Sequence, residues 1–255
     1  MLFIDTHAHL DHLENVEQAL VQAAEAGVSD IIAVSVDLKA NKRNLELKKS
    51  IQRPRIHVAL GIHPGNIVPD EVEETLRFIR EHIKEAVAIG ETGLDYWYKW
   101  AKKDEAKKAE QRQLFRRQLE LAREFDLPVV IHSRGAWRDC LTMTRDAGVK
   151  KAVFHWYSGP VDVLNDIVAS GYMVSTTPSL AYSPPSREAI SQAPIEHTMI
   201  ETDCPVYYQE GEDGRFQATP KDVARTLKAY VALKNVDESK ALAVFNENAR
   251  RFFGI

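Results

Sequence analysis

The sequence predicts an α/β protein folded as a single (β/α)8 barrel of the TIM type, with a metal site at the carboxyl-terminal rim of its strands. Three observations lead there. Eight short segments rich in Val and Ile recur along the chain, each followed by a stretch with helical amphipathic spacing. Strands alternating with helices make parallel sheets, and eight such units favour a closed barrel over an open doubly wound sheet. The length of 255 residues matches the roughly 250 of one such barrel. No low-complexity linker divides the chain, and no Gly-rich phosphate fingerprint argues for the open alternative. Residues 1–255 are therefore read as one domain.

The strands are expected at residues 2–5, 30–34, 57–61, 87–90, 128–131, 152–154, 173–176 and 198–200. After the first, residues 16–26 carry a helical pattern that ends at Gly27, the residue type that most easily closes a helix. Residues 71–82 are amphipathic. Residues 111–125 repeat Leu and Phe at helical spacing before Pro128 opens the next strand. The stretch 178–185, after the seventh strand, reads as a Pro-rich loop.

Hydrophobic residues at 44% and charged residues at 27% are ordinary globular values. No apolar run approaches the roughly 18 residues of a membrane span. The start, Met1-Leu2-Phe3-Ile4-Asp5, has no basic segment or cleavage site of a secretory signal, and Cys140 and Cys204 are too few and scattered for a disulfide framework. A cytoplasmic protein is expected. The net charge of −4 argues against a broad basic face that coats duplex nucleic acid, while leaving room for a local basic patch or a metal that attracts phosphate.

The chemistry lies where the strands end. His7 and His9 follow the first strand on alternate positions of extended chain, which places both imidazoles on one side. His63 follows the third strand, Glu91 the fourth, His132 the fifth, His155 the sixth and Asp203 the eighth. In such barrels the carboxyl-terminal rim gathers these positions around one cavity. His7, His9, His132 and His155 with Glu91 and Asp203 supply four imidazoles and two carboxylates, a set able to bind two metal ions. His12, His57, His82 and His197 are read as surface or core-edge residues.

These residues stand in motifs that resemble the TatD family of metal-dependent hydrolases, within the amidohydrolase-like barrels. The motifs are Ile4-Asp5-Thr6-His7-Ala8-His9-Leu10-Asp11, Gly61-Ile62-His63-Pro64, Ile89-Gly90-Glu91-Thr92-Gly93-Leu94-Asp95-Tyr96, Pro128-Val129-Val130-Ile131-His132-Ser133-Arg134 and Ile200-Glu201-Thr202-Asp203-Cys204-Pro205. Phe154-His155-Trp156-Tyr157-Ser158-Gly159 and the closing stretch from Asn246 to Gly254 complete the likeness. The resemblance implies a divalent metal centre in a family that includes deoxyribonucleases acting on DNA ends. It implies further that His7, His9 and Asp203 hold one metal, that His132 and His155 hold the other, and that Glu91 bridges both. The chain departs from the family at one place: an Asn-Glu-Pro motif common after the last metal-binding Asp is replaced by Phe216-Gln217-Ala218-Thr219-Pro220.

Chemistry gives each role a reason. Two cations about 3.5–4 Å apart brace the attacking and leaving oxygens of a phosphodiester. Glu91 has two oxygens with which to span them, and neutral imidazoles leave the positive charge available for phosphate. Glu91 and Asp203 are the catalytic candidates, Asp203 doubling as general base. Imidazole-rich ligation suits Zn, Mn, Fe or Ni better than Mg, although nucleases commonly use Mg. His63 and Arg134 are candidates for phosphate contact, against a turn-packing role for His63 and a salt bridge to a loop carboxylate for Arg134. Trp97 and Trp100, interleaved with Tyr96, Tyr98, Lys99, Lys102 and Lys103, suit stacking of unpaired bases, or else seal the rim, while Lys102 to Lys108 also reads as the exposed start of the next helix. Asp95, Glu201 and Asp5 are read as supports behind the ligands, with Glu201 or Asp5 orienting an imidazole, or Asp5 capping the strand end.

The expected substrate is therefore DNA, as ends or single strands, with no obligate protein partner evident. A small-molecule amidohydrolase or phosphoesterase using the same centre is the alternative. The mouth discriminates: an open groove with basic and aromatic walls fits DNA ends, and a pocket closed by residues 178–185 fits a small substrate. A scaffold that keeps metals for stability alone does not explain carboxylates too few to close two coordination shells.

Overall fold

The computed structural model describes residues 2–211 and 214–255; Met1, Glu212 and Asp213, which the one-domain expectation includes, lie outside the described residues. Strands and helices alternate in chain order: β1 (Phe3–Ala8), α1 (Val16–Glu25), β2 (Val28–Val34), α2 (Leu38–Ser50), β3 (Arg55–Leu60), α3 (Val72–Glu81), β4 (Ala86–Gly93) and α4 (Glu105–Glu124). There follow β5 (Val129–His132), α5 (Trp137–Asp146), β6 (Ala152–Phe154), α6 (Val161–Ala169), β7 (Met173–Thr176), α7 (Pro184–Gln192) and β8 (Thr198–Ile200). A hairpin of β9 (Tyr207–Glu210) and β10 (Gly214–Gln217) precedes α8 (Val223–Lys234) and α9 (Glu238–Phe253). The eight parallel strands pair in sequence order from β1 to β8. Between β8 and β1 the barrel is closed by an Ala8–Cys204 bridge and by the Thr6 hydroxyl, which donates to the Ile200 carbonyl at 3.0 Å.

Period-2 alternation divides the core into two layers. Ile4, Ile32, Val34, Ala59, Ala88, Val130, Val153, Met173 and Met199, at least one from every strand, pack with Ala249, Phe252 and Phe253 of α9. The last helix thus packs against the inward layer. Alternate residues such as Ile31, Val58, Leu60, Ile131 and Phe154 belong to the cluster that also holds Leu20, Leu45, Ile79, Phe115 and Leu164 of the helices. Nearly continuous apolar strands follow from burial on both faces.

Strands six, seven and eight have the expected bounds, and the others shift. β1 runs on to Ala8, β4 to Gly93 and β5 to His132, so His7, Glu91 and His132 lie within strands rather than after them. Backbone pairing does not require apolar side chains, and at the rim the pairing outlasts the apolar run. α4 starts at Glu105, six residues before the expected 111, because Asp104 accepts from the Lys107 N–H at 3.0 Å and caps it. Residues 178–185 are not a loop throughout: a 3-10 turn spans Pro178–Ala181, and α7 begins at Pro184, a residue suited to the first helical position.

Two glycines let the strands approach closely at the rim. A Cβ on Gly61 would stand 2.6 Å from the Gly90 carbonyl carbon, and one on Gly93, whose φ is +138°, would stand 2.0 Å from the His132 carbonyl oxygen. Side chains there would push β3, β4 and β5 apart beneath Glu91.

Candidate metal centre

Five strands or strand ends bring the predicted ligands together. His7, in β1, and His9, one residue beyond it, place their Nε2 atoms 3.4 Å apart. Asp203 comes from the segment after β8. Its N–H donates to the His7 carbonyl at 2.9 Å, and its φ of 48° lies in the left-handed region, which Asp tolerates better than most residues. Asp5 locks that segment by accepting from the Thr202 N–H at 3.0 Å, the Thr202 hydroxyl at 2.6 Å and the His7 N–H at 3.3 Å. Its hydrogen bonds reach no imidazole, because the register shift between Asp5 and Ala8 breaks the alternation that would align it with His7 and His9. Asp5 therefore ties β1 to the Asp203 turn.

Glu91 is buried at the centre. Its Oε2 lies 3.4 Å from His7 Nε2 and 3.3 Å from His9 Nε2, while its Oε1 lies 2.9 Å from His132 Nδ1 and 2.8 Å from His155 Nε2. Asp203 Oδ1 is 3.5 Å from His7 Nε2 and 3.2 Å from His9 Nε2. His7 Nε2 and His9 Nε2 thus stand 3.2–3.5 Å from Asp203 Oδ1 and from Glu91 Oε2, and His7, His9 and Asp203 are close enough together to share one cation. His132 Nδ1 and His155 Nε2, 3.3 Å apart, form a second group with Glu91 Oε1.

Electrostatics agree with a cation site. Burial opposes charge on every member, yet Asp203 and Glu91 hold His9 up at about 10, and Glu91 with Glu201 raises His155. His132 is also raised, against burial, by Asp95 and Glu91. Burial and the neighbouring His155 instead press His7 down. Burial works against ionisation of both carboxylates, but the surrounding imidazoles hold Glu91 well below and Asp203 below the usual carboxylate range. The two carboxylates thus favour positive charge beside them, which a divalent cation would also supply. The buried Nδ1 atoms of His7, His9 and His155 have no hydrogen-bond partner among the described residues.

Supports stand behind the second group. Asp95 Oδ2 is 2.8 Å from His132 Nε2 and accepts from Arg134 Nε at 2.8 Å. Burial raises the Asp95 carboxyl, but these bonds outweigh it and hold it at about 2. Glu201 Oε1 lies 3.4 Å from His155 Nδ1 and accepts from the Trp156 N–H at 2.8 Å, while its other oxygen takes the Ser175 hydroxyl. Trp156 has φ of 41°, a strained position for a bulky residue, and it follows a candidate ligand directly.

His63 also reaches the cluster, with Nε2 3.6 Å from Glu91 Oε1. Its Nδ1 accepts from the Gly65 N–H at 2.9 Å, and burial pushes the ring down to about 3. A neutral ring whose Nδ1 accepts carries its proton on Nε2. His63 therefore presents a donor, although its distance to Glu91 and His132 is also compatible with ligation.

A cavity of about 770 Å³ opens over the cluster, lined in part by His9, His63, Trp97, Tyr98, Arg134, Trp137 and Trp156. Trp97 rests on Gly135, where a Cβ would meet its Cδ1 at 2.3 Å, and is 61% exposed. Trp100 instead stacks on Tyr98 with centroids 5.2 Å apart and is outside the described lining. Arg134 makes its salt bridge to Asp95 and lies over the Tyr98 ring at 5.1 Å, its side chain 47% exposed. Ser183, Pro185 and Ser186 form part of the wall. Where the family commonly has Asn-Glu-Pro, Ala218 is buried, its N–H donating to Val206, and Thr219 caps the turn at Pro220 with Asp222.

His57 pairs with Asp30, His82 with Glu85, and His197 with the Tyr172 carbonyl, as core-edge residues do. His12 is exposed but stacks on His9 and lines the cavity mouth. Sequence reasoning passed over Trp137, which lines the cavity, and Asn41, Gln111 and Gln118, which are buried beneath the rim. The signal for the last two was Gln at positions where the α4 pattern calls for apolar residues.

A (β/α)8 barrel whose strand ends converge on imidazoles and carboxylates defines a metal-dependent hydrolase. Residues 4–254 match the family model described as TatD related DNase, so the chain belongs to the TatD family. YabD, a metal-dependent hydrolase of Bacillus subtilis (strain 168), is 30% identical over 265 residues, covering 100% of both chains. The Homo sapiens deoxyribonuclease TATDN3 is 27% identical, across 98% of this chain and 94% of its own. The crystal structure of YJJV, a TatD homologue from Escherichia coli K12, superposes with a TM-score of 0.89 at 27% identity, covering 99% of this chain and 98% of that one.

Proposed function

We propose that the enzyme cleaves phosphodiester bonds at DNA ends or in single strands with two divalent cations. The observation that carries this reading is Glu91, whose two oxygens face two separate groups of ligand atoms. His7, His9 and Asp203 would hold one ion, His132 and His155 the other, and Glu91 both. Such ions, when bound, lower the pKa of water and offset the charge of phosphate. The protein's residues do the rest: Asp203 accepts the proton of the attacking water, and the His63 Nε2–H donates to a phosphate oxygen. Arg134, already committed to Asp95, adds positive charge at the mouth. Trp97 offers an exposed face for a base. The deoxyribonuclease name carried by relatives such as human TATDN3 supports the substrate class. Two buried free cysteines, Cys140 and Cys204, accord with a cytoplasmic setting. Among the described residues no helix is long and apolar enough to cross a membrane.

The cavity volume also lies within the range of small-ligand sites, roughly 300–1,000 Å³, which keeps a small phosphoester or amide as the second reading. Digestion of end-labelled single- and double-stranded DNA by metal-stripped and reconstituted enzyme, beside an amide and phosphoester panel, separates the two. Metal-dependent shortening of DNA supports the proposal; turnover confined to the panel overturns it.

A further inference from the structure

We infer that Asn41, Gln111 and Gln118 are positioning residues of the metal centre, their buried carboxamides clamping the peptide groups that carry His63 and Asp95. The inference rests on the metal-site reading above. Each carboxamide both donates to and accepts from one residue, and Asn41 also donates to the Asp37 carbonyl at 2.8 Å. Asn41 donates to the Gly61 carbonyl at 2.9 Å and accepts from the Gly61 N–H at 3.0 Å. Gln118 does the same for Ile62, at 3.0 and 2.8 Å, and Gln111 for Asp95, at 3.1 and 3.0 Å.

A carboxamide repeats the donor and acceptor of a peptide group, so each clamp acts as a one-residue strand partner. The clamps stand where the ladder has ended: β3 stops at Leu60 and β4 at Gly93. The clamped peptides are buried, and their N–H and C=O groups require partners. The next amide, that of His63, donates to the Val36 carbonyl at 2.9 Å.

Gln111 and Gln118 are seven residues apart, two turns along one face of α4. A leucine at either place would suit the apolar packing of Leu114 and Phe115 but would strand two peptide groups. Gln118 also donates to the Thr92 hydroxyl at 2.6 Å, beside Glu91. One helix thus grips the backbone on both sides of the central carboxylate. What it fixes is the reach of His63 Nε2 to Glu91, 3.6 Å, and of Asp95 to His132 Nε2, 2.8 Å. Partners that orient metal ligands commonly alter metal affinity 10–100-fold when removed.

The test is a Co2+ titration of metal-stripped enzyme followed by visible absorption, which reads the coordination sphere without any substrate. Gln111→Met and Gln118→Met are compared with the parent and with Asn248→Leu. Asn248 is a buried carboxamide that serves the Ile195 and Thr198 carbonyls at the opposite end of β8. The expected result is folded Met variants with shifted Co2+ bands, Gln111→Met also binding Co2+ at least tenfold more weakly, while the control keeps parental affinity and spectrum. Where a Met variant does not fold, Gln→Glu at the same position, which keeps shape and acceptor but loses the donor, carries the same expectation. Parental affinity and bands in folded variants, or an equal loss in Asn248→Leu, overturn the inference alone. A parent that takes up no Co2+ overturns the metal-site reading and this inference with it.

Discussion

Asp203 shows how one residue is asked for two functions. Its Oδ1 sits among imidazole nitrogens while its backbone, in a left-handed turn pinned to His7, has little freedom to retreat. Asp203→Asn preserves size and the N–H bond, so the variant should fold and keep some metal, yet lose about 10²–10⁴ in turnover. Unchanged turnover in metal-replete variant protein would sink the general-base role. The two tryptophans expected to stack bases are now separable. Trp97→Ala should weaken single-strand affinity by about 1–3 kcal/mol with metal binding intact, whereas Trp100→Ala, which removes a ring stacked on Tyr98, should change affinity little. Fluorescence anisotropy with a labelled oligonucleotide reads both, and parental affinity in Trp97→Ala as well as in Trp100→Ala would return the pair to a sealing role.

The strands explain why so much of the centre was legible. Ligand-type residues at apolar strand ends are a pattern that local sequence carries, and His7, His9, Glu91, His132, His155 and Asp203 all meet. Less legible was what depends on contacts between elements. Asp5 and His7 look equivalent by alternation, and only the register shift in β1 tells them apart. The carboxamides of α4 find their partners 56 and 16 residues away, a distance no periodicity reports. Close approach of strands is equally hidden, although glycine marks it. Gly93→Ala places a Cβ against the His132 carbonyl and should cost about 2–4 kcal/mol, lowering Tm by roughly 4–16 °C for a chain of this size. A parental Tm would mean that β4 and β5 can separate freely.

A second element-scale prediction concerns Asp30 of β2. Burial raises its carboxyl, but hydrogen bonds from Arg55, His57 and Ser29 outweigh that and leave it below its ordinary 3.8. A depressed carboxyl stabilises the fold above its unfolded pKa and loses that contribution as pH falls through the lower folded value. Asp30→Asn should therefore cost about 1.5–3 kcal/mol at neutral pH, with the gap to the parent closing below about pH 4. Thermal melts across pH 3 to 7 check this, and a gap independent of pH would show that the charge of Asp30 is immaterial.

At the scale of the molecule, rigidity and chemistry are divided between the ends of the barrel. Phe252 and Phe253 of α9 pack with Ile4, Val153 and Met199 in the inward layer, while the carboxyl-terminal rim carries polar groups that packing alone would reject. Two carboxylates gathered with four imidazoles in a largely buried cluster are costly unless positive charge compensates them, which is why the account turns on cations. Its most direct test is single-turnover cleavage of an end-labelled oligonucleotide while Mn2+ is added to stripped enzyme in measured equivalents. The account predicts little cleavage at one equivalent per chain, full rate at two, and loss of that second step in Glu91→Gln; full rate at one equivalent, or a Glu91→Gln profile like the parent's, would contradict it.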